Sequence, residues 1–334
     1  MMRNAYILGA HIPLMPRKAK KKVRKKKRIT GFRPKFLYSK LKEHVVGQDE
    51  AMKSLCVLFS RQSRRARGAD VPKTNALMYG PPGSGKTLMM QTLCEYCNLP
   101  YRRVTATGKS SSGHTGPNFM DSFEDIDPDD GRFMVVHIDE IDKLGLRGER
   151  DMEEDLQDEV IAFAEGTEIY DIKTHDMLCV ATGAFVDLEE IVRERYSSPV
   201  GFTQPKDVPE NLLAHATRQD LLEYGFKPEF LARFGRMVHT NPLDERQLRS
   251  ILDLRKGKLN SMIEYFSYEL DIGITFTNGA RNYIIAYAME AGEGARGINS
   301  AVDELLENFE FEQEDHRGKS RRIDARYARR ILEV

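Results

Sequence analysis

The segment from Gly80 to Thr87 constrains the fold more than any other part of the chain. It reads Gly80-Pro81-Pro82-Gly83-Ser84-Gly85-Lys86-Thr87 and fits the pattern G-x-x-x-x-G-K-[ST]. A short apolar run at 75–79 precedes it and an apolar helical stretch at 88–97 follows it. This strand–loop–helix context is the one the pattern requires, so the sequence predicts a phosphate-binding loop.

Each part of this loop has an expected role. Gly83 and Gly85 let the backbone curl so that its N–H groups face a β-phosphate, and the following helix N-terminus adds positive potential. Lys86 is expected to neutralise β- and γ-phosphate charge, and the Thr87 hydroxyl to ligate Mg²⁺. We therefore expect ATP and Mg²⁺ as cofactors, with residues 80–87 and the next residue, Leu88, at the nucleotide.

A second motif, Val135-Val136-His137-Ile138-Asp139-Glu140, is an apolar strand that delivers two carboxylates at its C-terminal end. Open α/β sheets place their chemistry at this end of their strands. Asp139 is expected to hold the water shell of Mg²⁺, and Glu140 to orient and polarise the attacking water. A solvated acidic turn is the alternative, but it does not explain the apolar strand. We interpret His137 as a packed strand residue and not a metal ligand.

The pattern of the whole chain indicates an α/β fold. Further strands are predicted at 103–105, 133–138, 178–181 and 237–239, separated by helices such as 155–164, and this alternation implies a parallel sheet covered on both faces. After Asn241-Pro242 the pattern changes to amphipathic helices within 244–270 and 279–313, which flank a β-branched piece at 272–276, and a last strand or helix near 323–332. The predicted domains are a basic tail at 1–36, a large domain at 37–240 and a small one at 241–334.

The net charge of zero conceals a basic N-terminal segment. Ten of the twelve residues from 17 to 28 are Lys or Arg, and 36 basic residues face 51 acidic ones after position 42. Such a block repels itself, and it is either a solubilising or self-docking tail or a binding segment for nucleic acid or another polyanion.

The cysteine and hydropathy patterns indicate in which cellular compartment the protein is expected. Cys94 and Cys97 have a zinc-like spacing, but they lie on the helix after the phosphate loop with no second pair, so buried thiols are expected. Few cysteines suit a reducing cytosol, and no apolar run approaches the ~20 residues that span a bilayer. We expect a cytoplasmic protein without membrane contact.

From about Leu41 to Phe309 the sequence resembles the ClpX/HslU unfoldase family of AAA+ ATPases, and within it ClpX most closely. Beyond the two nucleotide motifs, the resemblance rests on Val45-Val46-Gly47-Gln48, Gly166-Thr167, Gly183-Ala184-Phe185, Tyr224-Gly225-Phe226-Lys227-Pro228-Glu229-Phe230-Leu231-Ala232-Arg233 and Gly294-Ala295-Arg296-Gly297. It implies an AAA+ P-loop NTPase fold, with a parallel central sheet and a small, mostly helical C-terminal domain.

The resemblance also implies roles for single residues. Val45 and Val46 fall on the adenine side of the nucleotide, Thr182 on the sensor-1 position and Arg296 on the sensor-2 position at the γ-phosphate. The residues alone leave open whether Arg233 or Arg236 is only a surface ion pair, and the resemblance selects Arg233 as the arginine finger. A finger supplied by a neighbouring subunit implies a homo-oligomeric ring, a hexamer in this family.

This sequence departs from the family in three segments that the resemblance implies meet substrates and partners. The pore loop reads Gly113-His114-Thr115-Gly116 where the family has Gly-Tyr-Val-Gly, which predicts weaker or more selective gripping because imidazole presents less apolar area. The second pore-loop stretch, 167–177, is shorter than the family's. The basic tail stands in place of the family's N-terminal zinc-binding domain.

Val200-Gly201-Phe202 falls on the tip of the loop by which ClpX docks on its protease. An exposed Phe202 would enter a pocket on a ClpP-like peptidase, and the alternative is a residue folded back on its own domain. The leading hypothesis is an ATP-driven ring that unfolds or remodels protein substrates. The alternative is a nucleic-acid-associated AAA+ motor or loader that uses the basic tail.

Overall fold

The fold is built on a five-stranded parallel sheet with the strand order β2-β3-β6-β1-β7. The structure is a computed structural model that describes residues 32–107, 118–127, 133–145, 150–197 and 208–332. The strands of this sheet are β1 (Ala76–Tyr79), β2 (Tyr101–Thr105), β3 (Val135–Asp139), β6 (Leu178–Gly183) and β7 (Arg236–His239). The central strands β1 and β6 are buried along their whole length, as expected for a sheet covered on both faces. The predicted strands and the α/β class are confirmed.

Helices cover the two faces of the sheet and create two separate hydrophobic clusters. One cluster joins α1 and α2 to one face, where Met78 and Val180 point, and the other joins α4 to the opposite face, where Leu77 and Val136 point. This division follows from the alternation of side chains along each strand. The helices of this part are α1 (Pro34–Leu41), α2 (Asp49–Arg65), α3 (Lys86–Cys97), α4 (Arg150–Glu165), α5 (Leu188–Ser197), α6 (Arg218–Tyr224) and α7 (Pro228–Arg233).

A small antiparallel hairpin follows α4 and occupies the predicted second pore-loop stretch. Its strands are β4 (Glu168–Ile169) and β5 (Ile172–Lys173), and the two turn residues, Tyr170 and Asp171, both have positive φ. Tyr170 is 45% exposed. The hairpin therefore presents an aromatic side chain at its tip.

The C-terminal part has a hydrophobic cluster of its own, contributed by residues 243–332. Its elements are α8 (Glu245–Leu252), α9 (Lys258–Tyr268), β8 (Gly273–Phe276), α10 (Asn278–Ala291), α11 (Ala295–Phe311), α12 (Gln313–His316), β9 (Ser320–Ile323) and α13 (Ala325–Leu332). Strands β8 and β9 pair in parallel. A mostly helical part after the sheet is confirmed, whereas the boundary at residue 240 stays a prediction.

Each of the two long helical stretches is divided in the structure. The first is interrupted between Leu252 and Lys258, where the chain turns at Gly257, and the second at Gly292, which adopts φ 64° and ends α10. A left-handed glycine terminates a helix because the residue's amide turns back on the last carbonyls. The end of the chain holds both a strand and a helix, where the sequence left these as alternatives.

The four cysteines are free and buried, which confirms the expected buried thiols. Cys94 and Cys97 lie on α3, and burial raises the pKa of Cys97 to about 12. In the described part of the chain, no helix is both long and apolar enough to cross a membrane. The basic segment 17–28 lies outside the described residues.

Candidate nucleotide site

The phosphate loop joins β1 to α3, and its backbone adopts a conformation that favours glycine. Gly83 has φ 65° and Gly85 has φ 94°. Gly85 caps α3, so the first amides of that helix open towards the loop. Ser84 is buried and its hydroxyl lies 2.8 Å from the Thr240 hydroxyl, which ties the loop to the end of β7. The loop is therefore a rigid concavity at the C-terminal edge of the sheet.

Lys86 is turned into this concavity. Its Nζ donates to the carbonyl oxygens of Gly80 at 2.5 Å and Pro81 at 2.9 Å. Burial lowers the pKa of Lys86 to about 8. The charge of Arg296 also lowers this pKa, whereas the charge of Asp139 raises it. A lysine whose charge is poorly solvated gains from an anion placed beside it, which suits a phosphate contact.

The turn before α11 rests directly on the phosphate loop. The Ala295 amide donates to the Gly83 carbonyl oxygen at 3.1 Å. A Cβ at Gly83 would overlap the Glu293 carbonyl oxygen and would come within 3.0 Å of the Ala295 nitrogen. Glycine at position 83 is therefore required by a close approach as well as by its φ. This contact brings Arg296, the sensor-2 candidate, near the loop.

Asp139 is the last residue of β3 and Glu140 follows it, as predicted. Asp139 Oδ1 accepts from the Thr182 hydroxyl at 2.6 Å and from the Glu140 amide at 3.0 Å. Oδ2 accepts from Arg103 Nη2 at 2.6 Å and from its Nε at 3.1 Å. Burial acts to raise the pKa of Asp139, but interactions with His137, Thr182 and Arg103 together hold it well below its usual range. This carboxyl group is therefore ionised at neutral pH.

Glu140 adopts a left-handed conformation with φ 58° and is exposed. Its Oε2 accepts a hydrogen bond from the Thr107 hydroxyl, two residues beyond the end of β2. The left-handed backbone conformation of Glu140 changes the direction of the chain directly after β3. Asp139 and Glu140 are thus adjacent in sequence but engage different partners.

A directed hydrogen-bond chain leads to Asp139 through the sheet. His137 is fully buried, with Nε2 2.7 Å from the Thr182 hydroxyl and Nδ1 2.7 Å from the Tyr101 hydroxyl. The Thr182 hydrogen is used on Asp139, so Thr182 must accept from Nε2–H, and Nδ1 must accept from Tyr101. Burial lowers the pKa of His137, which favours this neutral tautomer. His137 is a packed strand residue, as predicted.

The segment Val45-Val46-Gly47-Gln48 lies between the loop and the C-terminal part. Val45 is 5% exposed, and its Cγ1 would be 3.9 Å from a Cβ at Gly85. Gln48 exchanges two hydrogen bonds of 2.8 Å with the backbone of Asn241. Leu88 is 44% exposed although it is apolar. Val45 is therefore buried beside the loop, and the exposed Leu88 provides apolar surface there of the kind that a base covers.

The two arginines predicted from the resemblance lie in different places. Arg296 is exposed, and its charge reaches Lys86. Arg233 ends α7, is 43% exposed and pairs with Glu165 Oε1 at 2.5 Å. Arg236, its alternative, donates to the Ser54 hydroxyl at 3.0 Å. Arg296 thus lies on the helix whose N-terminus contacts the phosphate loop, while Arg233 is half-exposed at the end of α7.

Two contacts in the site were missed by the sequence reading, those of Arg103 and Thr107. Strand 103–105 was predicted, but its neighbour in the sheet was not, so nothing showed that its side chains would meet Asp139 and Glu140. The pore-loop residues Gly113, His114, Thr115 and Gly116 lie outside the described residues. So do the docking residues Val200, Gly201 and Phe202.

The residues present fit a magnesium nucleotide. Thr87 and Asp139 offer hard oxygen donors, which Mg²⁺ prefers, and it is commonly held by one or two carboxylates together with phosphates and water. Within the described ranges no group of three or more His, Cys, Asp and Glu side chains forms an all-protein metal cage. The glycine-lined loop and Lys86 supply the complementary phosphate site.

The chain is similar to known proteins over most of its length. The family model for AAA, the ATPase family associated with various cellular activities, matches residues 76–203. The ATP-dependent Clp protease ATP-binding subunit ClpX of Borrelia duttonii is 32% identical, over 84% of this chain and 74% of that protein. ClpX 3 of Methylococcus capsulatus is 30% identical over 84% and 76%, and ClpX of Porphyromonas gingivalis 27% identical over 90% and 83%.

Proposed function

The chain belongs to the ClpX family of AAA ATPases, and we propose that it couples ATP hydrolysis to the unfolding or remodelling of proteins. The observation that carries the proposal is the hydrogen bond from the Ala295 amide to the Gly83 carbonyl. It seats the helix of Arg296 on the phosphate loop, so a change at the phosphates is passed to the C-terminal part. Movement of one part against another is what an ATP-driven machine requires.

For hydrolysis, we assign the binding of phosphates to the backbone of residues 80–87 and to Lys86. Bound Mg²⁺ supplies a charge that polarises the phosphates and withdraws density from the bond that breaks. Thr87 and Asp139 would hold that ion. Glu140 orients the attacking water and Thr182 holds Asp139 in place.

Binding of the base and sensing of the γ-phosphate fall to other segments. Val45, Val46 and Leu88 receive the adenine ring on apolar surface. Arg296 approaches the γ-phosphate from the C-terminal part, where a guanidinium stabilises charge that develops as the bond breaks.

Arg233 is proposed to act on a neighbouring subunit. Its half-exposed guanidinium is held by Glu165 on the outside of the large part, a position from which it can be presented to another chain. An exposed pair of this kind is weak, about 0–1 kcal/mol, and is readily exchanged for a phosphate. Hydrolysis would then depend on assembly, and a homo-hexameric ring is the arrangement that we propose.

The substrate and partner contacts of the proposal rest on the resemblance alone. Residues 113–116 would line the pore, with His114 in the place of the family's aromatic side chain, and residues 200–202 would dock on a ClpP-like peptidase. The relatives named above are Clp protease subunits by name, and the peptidase comes to this chain as a proposal. A cytoplasmic location is proposed on the same basis.

The test is the unfolding of a stably folded fluorescent protein that carries an unstructured degradation tag, in the presence of a trap that prevents refolding. Fluorescence should fall with Mg²⁺ and ATP, and it should persist with the Glu140→Gln variant, which should bind nucleotide without turnover. Unfolding at the same rate without ATP, or steady turnover by Glu140→Gln, would contradict the proposal.

The nucleic-acid alternative stays a prediction of the sequence. None of the relatives compared is a nucleic-acid-binding protein by its name, and residues 17–28 lie outside the described ranges. No observation in the described residues favours it.

A further inference from the structure

Both carboxylates at the end of β3 are contacted from β2 and the residues just beyond it. Arg103, within β2, donates two hydrogen bonds to Asp139 Oδ2, from Nη2 at 2.6 Å and from Nε at 3.1 Å. Thr107 donates to Glu140 Oε2. Residues 108–117, which follow directly, include the pore-loop candidate. One strand therefore connects the hydrolytic pair to the segment proposed to meet substrate.

The position of Arg103 is fixed by the register of the sheet. Arg103 lies opposite His137, and Thr105 lies opposite Asp139, in the parallel pair of β2 and β3. The Arg103 side chain reaches diagonally to the residue two positions further along. Tyr101 reaches His137 by the same diagonal step. The same diagonal contact thus occurs twice between β2 and β3. The register of the two strands therefore determines the Arg103–Asp139 contact, and not a chance orientation of the Arg103 side chain.

The two Asp139 oxygens differ in how exchangeable their partners are. Oδ1 is held by the Thr182 hydroxyl and the Glu140 amide, both parts of the sheet edge. Oδ2 is held by Arg103, whose side chain is 47% exposed whereas that of Asp139 is 13% exposed. Because Arg103 is half-exposed, it is a weaker partner for Asp139 than the Oδ1 partners are. At equal distance, a doubly charged cation is attracted to Oδ2 about twice as strongly as the singly charged guanidinium is.

A second place for the Arg103 guanidinium lies beside the first. Arg103 lines a cavity of about 450 Å³ together with Asp121, Ser122 and Asp125. The cavity thus offers two carboxylates, those of Asp121 and Asp125, to a cation that moves away from Asp139, and Asp125 already binds one guanidinium, that of Arg102, at 2.6 Å.

We propose that Arg103 is a built-in competitor of Mg²⁺ for Asp139 Oδ2. When the metal takes this oxygen, Arg103 turns into the neighbouring cavity, so β2 responds to occupancy of the nucleotide site. Arg103 is a positioning residue and not a catalytic one, since it acts through Asp139. The inference rests on the proposed role of Asp139 in holding the metal.

The test measures binding and not turnover. The affinity for a fluorescent ADP analogue is determined as a function of Mg²⁺ concentration, and the half-saturating Mg²⁺ concentration is compared between variants. Arg103→Met should lower it by roughly three- to tenfold, because one half-exposed unit charge is removed next to the metal. Arg103→Gln, which keeps a donor of similar length without the charge, should give the same shift.

Arg102→Met is the matched control. Arg102 is the adjacent residue of β2 and pairs with Asp125 at 2.6 Å on the surface, so its loss removes the same charge from a neighbouring position. It should leave the half-saturating Mg²⁺ concentration within about twofold of the wild type. An unchanged or higher Mg²⁺ requirement in both Arg103 variants overturns the inference, as does an equal shift in Arg102→Met.

Asp139→Asn separates this inference from the proposed function. It should make nucleotide binding largely insensitive to Mg²⁺. If binding by Asp139→Asn depends on Mg²⁺ as in the wild type, the metal role of Asp139 fails. If that dependence is lost while Arg103→Met and Arg103→Gln behave as wild type, only the competitor role of Arg103 fails.

Discussion

Gly83→Ala should uncouple the C-terminal part from the nucleotide site. The added Cβ would overlap the Glu293 carbonyl oxygen and lie 2.8 Å from the Glu293 carbonyl carbon. The optimal separation of two non-bonded carbon atoms is about 3.5–4.0 Å. The turn before α11 must therefore retreat by about 1 Å, which breaks the 3.1 Å hydrogen bond from the Ala295 amide. Arg296 then loses its approach to the loop.

The magnitude follows from two terms. Alanine at φ 65° costs about 1 kcal/mol in backbone strain, and the lost hydrogen bond costs about another 1 kcal/mol. The strain is present whether or not the turn is seated, so the lost hydrogen bond alone lowers the population of the seated arrangement about fivefold, and the overlap with the Glu293 carbonyl oxygen lowers it further. Gly85→Ala is the matched control, because its φ of 94° imposes strain of the same kind while the nearest atom, Val45 Cγ1, lies 3.9 Å away.

The assay is a double-mutant cycle on ATP affinity, measured by competition with a fluorescent nucleotide. In the wild type and in Gly85→Ala, adding Arg296→Ala should weaken ATP binding by roughly 10- to 100-fold, the range for a charged hydrogen bond. In Gly83→Ala it should weaken binding by less than about threefold. An equal Arg296→Ala penalty in all three backgrounds would refute the reasoning.

Three other predictions concern the titration of Lys86, the buried hydrogen-bond chain through His137 and the docking segment at 200–202. Burial lowers the pKa of Lys86 to about 8, and bound phosphate should raise this pKa, so nucleotide binding at pH 8 should take up about half a proton per site. Calorimetry in buffers of different ionisation enthalpy measures the proton uptake. The same uptake in Lys86→Arg would contradict the prediction. His137→Phe should lower the free energy of unfolding by about 1–3 kcal/mol in urea titrations, since it removes the acceptor of the Tyr101 hydroxyl and one donor to the Thr182 hydroxyl, which keeps its bond to Asp139. A loss below about 0.5 kcal/mol would show that this hydrogen-bond chain is not stabilising. Phe202→Ala should abolish co-purification of a ClpP-like peptidase while the ATPase rate stays unchanged, and retained co-purification would count against the docking role.

Much of the nucleotide site could be predicted because its residues are contiguous. The phosphate loop with Lys86 and Thr87 is one stretch of chain, and so is the strand that ends in Asp139 and Glu140. In such stretches the chemistry depends on local backbone geometry, which glycine placement and apolar runs encode. Thr182 and Arg296 came from a family resemblance, and the residues alone did not indicate them.

The sequence by itself determined the strands, the phosphate loop and the pair of carboxylates, since each depends on side chains a few positions apart. Only the tertiary structure decided that β6 lies between β3 and β1, so that Thr182 meets Asp139. It also decided that β2 borders β3, which places Arg103 on the same carboxylate, and that α11 rests on Gly83. These contacts join residues far apart in the chain, and strand order and docking depend on the packing of the whole core, which no local pattern records.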